Sequence, residues 1–207
     1  MLFLPTASGD AESFAAAFRA AFPPGRAEGS VLSLFRREVD DLQAHVLAHD
    51  VVYVGGGSTA NLLAVWRLHG LDVALRAAYE AGVVLAGISA GMNCWFSASV
   101  TDSFGPELSG LDAGMGLLPG SACPHYDGEP RRRPTYRRLV AEGFPGEYAA
   151  DDGAALVFSD GALTEVVASR PGARAYRVEL RDGAVSEQPL PARLLAPAAP
   201  EQARPDP

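Results

Sequence analysis

Apolar residues come in short continuous runs along the first half of the chain, each followed by a stretch of helical spacing. Leu2–Leu4, Val31–Phe35, Val51–Val54 and Val83–Ile88 are the runs, and each reads as a strand. Continuous apolar character is expected of strands covered on both faces. Between them, Phe14, Phe18 and Phe22 recur every fourth residue and predict a buried helical stripe, with Asp10 as its cap and Pro23-Pro24-Gly25 as its stop. Val39, Leu42 and Val46 mark a second helix, and Leu62, Leu63 and Trp66 a third, capped by Ser58 or Thr59. A fourth fits Val73–Ala81, with Gly82 as terminator, and Ala90–Phe96 can also be helical. This alternation predicts an α/β fold, a mostly parallel sheet between helices.

The pattern then loosens. Residues 97–135 are rich in Gly, Pro, Ser and Asp and read as one long irregular region, the kind usually reserved for function. Pro134–Gly143 predicts a short helix. Ala155–Phe158, Ala162–Ala168 and Ala175–Leu180 follow as strands, with Ser159-Asp-Gly161 and Arg181-Asp-Gly183 as hairpin turns. One domain over 1–188 and a Pro/Ala-rich flexible tail over 189–207 complete the expectation.

Composition narrows the chemistry. With 207 residues the chain is sized for one large domain, and a net charge of −8 argues against nucleic acid or an anionic membrane as partner. No apolar run approaches the ~20 residues of a membrane span, and Met1–Pro5 lacks a basic leader. All 17 basic residues are arginine. The absence of lysine removes Schiff-base chemistry, a Walker lysine and a Ser–Lys dyad. Two cysteines, Cys94 and Cys123, suffice neither for a disulfide framework nor for a structural zinc site, so a cytoplasmic protein without metal or cofactor is expected.

Gly87-Ile-Ser89-Ala-Gly91 is the strongest motif. G-x-S-x-G between a strand and a helix is a nucleophile elbow, a turn so tight that its flanks must be small. It puts Ser89 at a strand's carboxyl end and a helix's start, where ligands bind and an oxyanion is favoured. Of four histidines, His45, His49 and His69 lie on or beside helices ahead of the elbow. His125, in Cys123-Pro-His-Tyr-Asp127, lies downstream in the irregular region and is the candidate base. The acid that should hold it is Asp102 or Glu107, with Asp127 more suited to shaping its own turn.

Two clusters remain. Gly55–Ala60 supplies an oxyanion-hole N–H or, read as G-x-G-x-x-A with Glu80 downstream, a nucleotide-binding loop without covalent chemistry. Arg131, Arg132 and Arg133 form the one basic concentration, either a solvated face or an anchor for a substrate carboxylate.

Four blocks in order, Phe3-Leu-Pro-Thr-Ala-Ser8, Val54-Gly-Gly-Gly-Ser-Thr59, Gly87-Ile-Ser-Ala-Gly91 and Pro124-His-Tyr126, resemble the peptidase E and cyanophycinase family of serine peptidases over roughly residues 1–180. The resemblance implies a three-layer α/β/α sandwich similar to the class I glutamine amidotransferases, with serine in place of their cysteine. It assigns the nucleophile to Ser89, the base to His125 and the oxyanion donors to the N–H groups of Gly57 and Ala90. The family's acid is Asp in peptidase E and Glu in cyanophycinase; the Thr-Asp context favours Asp102, and spacing from Ser89 keeps Glu107. Peptidase E usually has Asn where Ser58 stands, and Met92 replaces a commonly small residue. Short peptides are the implied substrates, dipeptides with an N-terminal aspartyl residue among them, with isopeptide cleavage of the cyanophycinase kind as the alternative. A homodimer is the working expectation.

Overall fold

A computed structural model describes residues 1–196. Its first half is a parallel sheet in the order β2-β1-β3-β4, made of β1 (Leu2–Leu4), β2 (Ser30–Val31), β3 (Val51–Val54) and β4 (Val84–Gly87). Four helices connect these strands: α1 (Glu12–Ala21), α2 (Leu42–Leu47), α3 (Thr59–His69) and α4 (Leu71–Glu80). Side-chain alternation sorts the two faces of the sheet. Phe3 and Tyr53 point one way, where the Phe3 ring stacks on Phe18 of α1 with centroids 4.7 Å apart. Leu2, Leu4, Val52 and Val54 point the other way, into a core shared with Leu62, Leu63, Trp66 and Leu75. Helices on both faces make three layers, as the alternating pattern predicts.

The one-turn helix α5 (Ala90–Asn93) leads out of β4 and packs against β3, β4, β5 and β7. It opens a second sheet, in the order β12-β11-β8-β7-β5-β6. The strands are β5 (Phe96–Thr101), β6 (Ser109–Leu111), β7 (Leu118–Cys123), β8 (Glu147–Ala150), β11 (Ala175–Arg181) and β12 (Ala184–Leu190). β7 runs parallel to both β5 and β8, while β6, β11 and β12 add antiparallel edges. Helix α6 (Arg132–Ala141) packs on β11 and β12. A small third sheet holds β9 (Ala154–Ser159), β10 (Ala162–Ala168) and β13 (Arg193–Leu194). Most strand pairings are parallel and the antiparallel ones gather toward the carboxyl end, so the fold is the α/β sandwich expected.

Several local expectations change. Asp10 does not cap α1: its φ is 57°, and its Oδ2 instead accepts from Ser33 Oγ and from the N–H groups of Leu34 and Phe35. That tie draws the chain out of strand geometry after Val31. Of the phenylalanine stripe only Phe18 is fully buried, because a four-residue spacing drifts around a 3.6-residue helix and leaves Phe14 facing out. β4 is the sheet edge rather than a doubly covered strand, which leaves Val84 exposed. Residues 97–135 are not one loop: β5, β6 and β7 lie there, built from small residues such as Ala98, Ser99, Ser121 and Ala122 that give a weak apolar signal. The tail begins later than expected, since Tyr176 pairs with Pro189 and Arg193 binds Glu165. Its remainder, residues 197–207, lies outside the described residues.

Candidate active site

The elbow is built by close backbone approach. A Cβ on Gly87 would stand 2.1 Å from the Gly91 carbonyl oxygen, and one on Gly91 2.3 Å from that of Val54. Only glycine permits these contacts. Ser89 between them has φ 56° and ψ −115°, a conformation costly for any residue with a Cβ and tolerated where function requires it. Its own Cβ is 3.3 Å from where a side chain on Gly56 would begin. Gly56 therefore leaves open the space beside the hydroxyl.

The glycine loop is held from its far side. Gly57 has φ 134°, and a Cβ there would fall 2.2 Å from the Ala7 carbonyl oxygen, which also accepts from Ser58 N–H at 2.9 Å. Ser58 Oγ caps α3 by accepting from Asn61 N–H, a role asparagine fills equally well, so the departure from the peptidase E pattern changes little here. Neither Gly57 N–H nor Ala90 N–H is engaged by an acceptor among the described residues, as an oxyanion hole requires. With α5 a single turn long, the donors themselves matter more than any helix dipole.

His125 follows β7 by two residues, and Asp152 follows β8 by the same interval. The strands are parallel neighbours with Cys123 opposite Ala149, so both residues emerge at one edge. His125 Nδ1 lies 2.6 Å from Asp152 Oδ1. A carboxylate can only accept, so Nδ1 carries the proton and Nε2 is left as the basic nitrogen. Gly128 makes room for the acid, since a Cβ there would be 2.0 Å from Asp152 Oδ2. The backbone of Asp152 is fixed in turn: its N–H donates to Asp127 Oδ1 at 2.8 Å. Burial would raise the Asp127 carboxyl, but the Asp152 N–H and the Arg170 guanidinium outweigh it and hold the group below its ordinary range. The adjacent Asp151 is turned to Arg174 N–H and the Tyr176 hydroxyl, and burial pushes its carboxyl up.

Neither expected acid meets His125. Asp102 is exposed on a loop whose neighbours Thr101 and Ser103 do the bonding, Ser103 Oγ accepting from Ala60 N–H at the start of α3. Glu107 pairs with Arg131 at 3.2 Å, both side chains mostly in solvent. The arginine run divides. Arg132 is buried, donating to Glu129 and to the Val100 carbonyl oxygen. Arg133 pairs with Glu187 and lies over the rings of Tyr126 and Tyr176. Arg131 alone of the three keeps an exposed guanidinium with only a surface partner.

Ser89 follows β4 and His125 follows β7, strands of two different sheets that both pack on α5, and no hydrogen bond links the two residues among the described residues. Hollows of about 390, 510 and 860 Å³ open elsewhere, and neither residue lines any of the three. Glu80 ends α4, four residues before β4 starts, and thus lies at the opposite end of the strands from Gly55–Ala60. An acid there cannot reach a ribose at the glycine loop, which removes the geometry of the nucleotide reading. Both cysteines are buried free thiols, with burial pushing Cys123 up to about 12, so neither serves as a nucleophile. Among the described residues no cluster of three or more His, Cys, Asp or Glu is placed to hold a metal, and no helix is long and apolar enough to cross a membrane.

Asp152 lies 27 residues beyond His125, well past the acids near the base in sequence, Asp102, Glu107 and Asp127. The signal that finds it is the twin ending of two parallel strands, Ala122-Cys-Pro-His125 and Ala149-Ala-Asp-Asp152, which requires 147–150 to be read as a strand.

The model for Peptidase family S51 matches residues 1–166. The chain is 51% identical over 194 residues to the uncharacterized peptidase YgaJ of Bacillus subtilis strain 168, covering 93% of this chain and 84% of that protein. Among solved structures it resembles a peptidase from an acI-B1 actinobacterium, with a TM-score of 0.70 and 20% identity over 93% of this chain and 80% of that one. A putative peptidase E from Listeria monocytogenes EGD-e superposes with a TM-score of 0.57, also at 20% identity, over 92% of this chain and 86% of that one.

Proposed function

The chain belongs to peptidase family S51, and from that premise we propose that it hydrolyses short peptides with Ser89 as nucleophile, His125 as base and Asp152 as the carboxylate that orients the base. The observation that carries the reading is the backbone of Ser89, a strained non-glycine residue clamped by two obligatory glycines at the carboxyl end of β4. In this mechanism His125 Nε2 takes the proton from Ser89 Oγ as the oxygen bonds the substrate carbonyl carbon. The N–H groups of Gly57 and Ala90 hold the oxyanion. The proton passes to the leaving amine as the C–N bond breaks. Water then attacks the acyl carbon and gives a proton to His125, which returns it to Ser89 Oγ as the acyl C–O bond breaks and the acid leaves. Catalytic hydrogen bonds commonly close only with substrate in place, which accommodates the missing Ser89–His125 bond.

Dipeptides with an acidic N-terminal residue are the substrates proposed, with Arg131, whose exposed guanidinium has only the surface partner Glu107, as the member of the arginine run to meet their carboxylate. A cytoplasmic setting, suited to two unpaired thiols, belongs to the same proposal. A dipeptide library tests substrate and mechanism together. Ser89→Ala should lower turnover by several orders of magnitude and abolish labelling by a fluorophosphonate; wild-type turnover in that variant would sink the mechanism.

A further inference from the structure

Asp152 stands in a turn, Asp151-Asp-Gly153, where nothing about the backbone alone would hold its carboxylate on His125. The side chain is half exposed, and water competes for it. What pins it comes from a third segment, the loop between β10 and β11. Arg170 on that loop donates from Nε to the Asp152 carbonyl oxygen at 2.9 Å and from Nη2 to Asp127 Oδ2 at 2.5 Å. Asp127 completes the ring by accepting from Asp152 N–H. One guanidinium thus grips the turn that carries the base, through Asp127, and the turn that carries its acid, through the backbone of Asp152.

We propose that Arg170 is a positioning residue of this peptidase, whose two-pronged contact sets the Asp152 carboxylate on His125 Nδ1. The inference rests on the reading of Asp152 given above. Its physical basis is the planar arginine fork, which presents two donors in fixed relation, so one side chain fixes two acceptors at once. Lysine keeps the charge and loses the fork. Displacing a carboxylate by about an ångström is enough to degrade a catalytic constellation, because orientation is what that group contributes. The loop is itself anchored on the acid's turn, with Ser169 N–H donating to the Gly153 carbonyl oxygen at 2.8 Å, so the grip is preformed.

The test compares Arg170→Lys, Asp127→Asn and Asp152→Asn in the full-length protein, using a fluorophosphonate as the probe of Ser89. In Arg170→Lys the maximal labelling rate should fall at least about ten-fold, one decade being about 1.4 kcal/mol, with the concentration for half-maximal rate unchanged. Asp127→Asn should fall by a similar factor, and the double variant by little more than either, since both cut one linkage. A second reading is the imidazole N–H proton resonance far downfield that an Nδ1–H···carboxylate contact produces. It should be present in wild type, absent in Asp152→Asn and broadened in Arg170→Lys, with thermal midpoints within a few degrees. A disabled Asp152→Asn beside an Arg170→Lys and an Asp127→Asn of wild-type rate and spectrum would overturn the proposal alone. An Asp152→Asn of wild-type rate would overturn the reading beneath it and the proposal with it.

Discussion

The two halves of the site are held by different physics. Ser89 is fixed by backbone: Gly87 against Gly91, Gly91 against Val54, Gly57 against Ala7. His125 is fixed by charged side chains, Asp152, Asp127 and Arg170 on one side and the Tyr126–Glu187–Arg133 group on the other. The ion pairs follow the same division. Among the described residues, all but Arg19–Glu12 lie between residues 107 and 193. Steric contact between backbones has no pH or salt dependence and no tolerance for an added atom. Charge pairs tolerate small displacements and respond to both. Ser89 is therefore set once, at folding, while the placement of His125 can be tuned.

Two glycine substitutions would break the comparison most directly. Gly91→Ala should destabilise the whole protein by more than about 4 kcal/mol, since its Cβ meets backbone that cannot yield. Gly128→Ala should leave the denaturation midpoint nearly unchanged, because the nearest atoms to its Cβ are those of the Asp152 carboxylate rather than backbone, yet lose most activity. Equal losses of stability in the two, followed by urea unfolding, would erase the distinction.

Next in size is the acid itself. Asp152→Asn should lower turnover by about 10²- to 10⁴-fold without unfolding, the range expected when a base loses its orienting carboxylate. Asp102→Asn and Glu107→Gln, exposed and without contact to His125, should each stay within about two-fold of wild type. A reversed order in steady-state turnover would return the role to the loop after β5.

The contrast also explains what could be read in advance. The first half was legible because each strand was a run such as Val51-Val-Tyr-Val54 and each helix carried spaced leucines, signals local to a few residues. Ser89 and its glycines were legible for the same reason. His125 was found by elimination among four histidines. Asp152 was not found, because its partnership depends on β7 and β8 lying side by side, a pairing between segments of small residues about 25 positions apart. The fates of Arg132 and Arg133 were hidden likewise, since Val100 and Glu187, which receive them, are distant in sequence.

The smallest effect concerns acid stability. Burial would raise the Glu187 carboxyl, but hydrogen bonds from Tyr126 and Arg133 outweigh it and hold the group below its ordinary range. A lowered value in the folded state contributes stability that is full above the unfolded value, about 4.3, and is lost as pH falls through the folded one. Glu187→Gln should cost about 2 kcal/mol at pH 7, the scale of a hydrogen bond to a charged group. The mutant curve should fall less steeply below about pH 4.3, so that the two converge in acid. Parallel curves from urea midpoints at several pH values would assign the carboxylate no special role.

The Tyr126–Glu187 contact also orders events in time. The glycine contacts of the elbow lie within the first 91 residues, whereas the residues that secure His125 arrive with positions 152, 170 and 187. Chains emerge from the ribosome amino end first, at about 5–20 residues per second. If Ser89 and His125 act as proposed, a nascent chain carries the serine for several seconds before its base is secured, and that interval is a built-in latency. Ribosome-arrested chains ending before residue 152 should label with a fluorophosphonate no faster than the Ser89→Ala protein, and rapid labelling there would show that the latency does not exist.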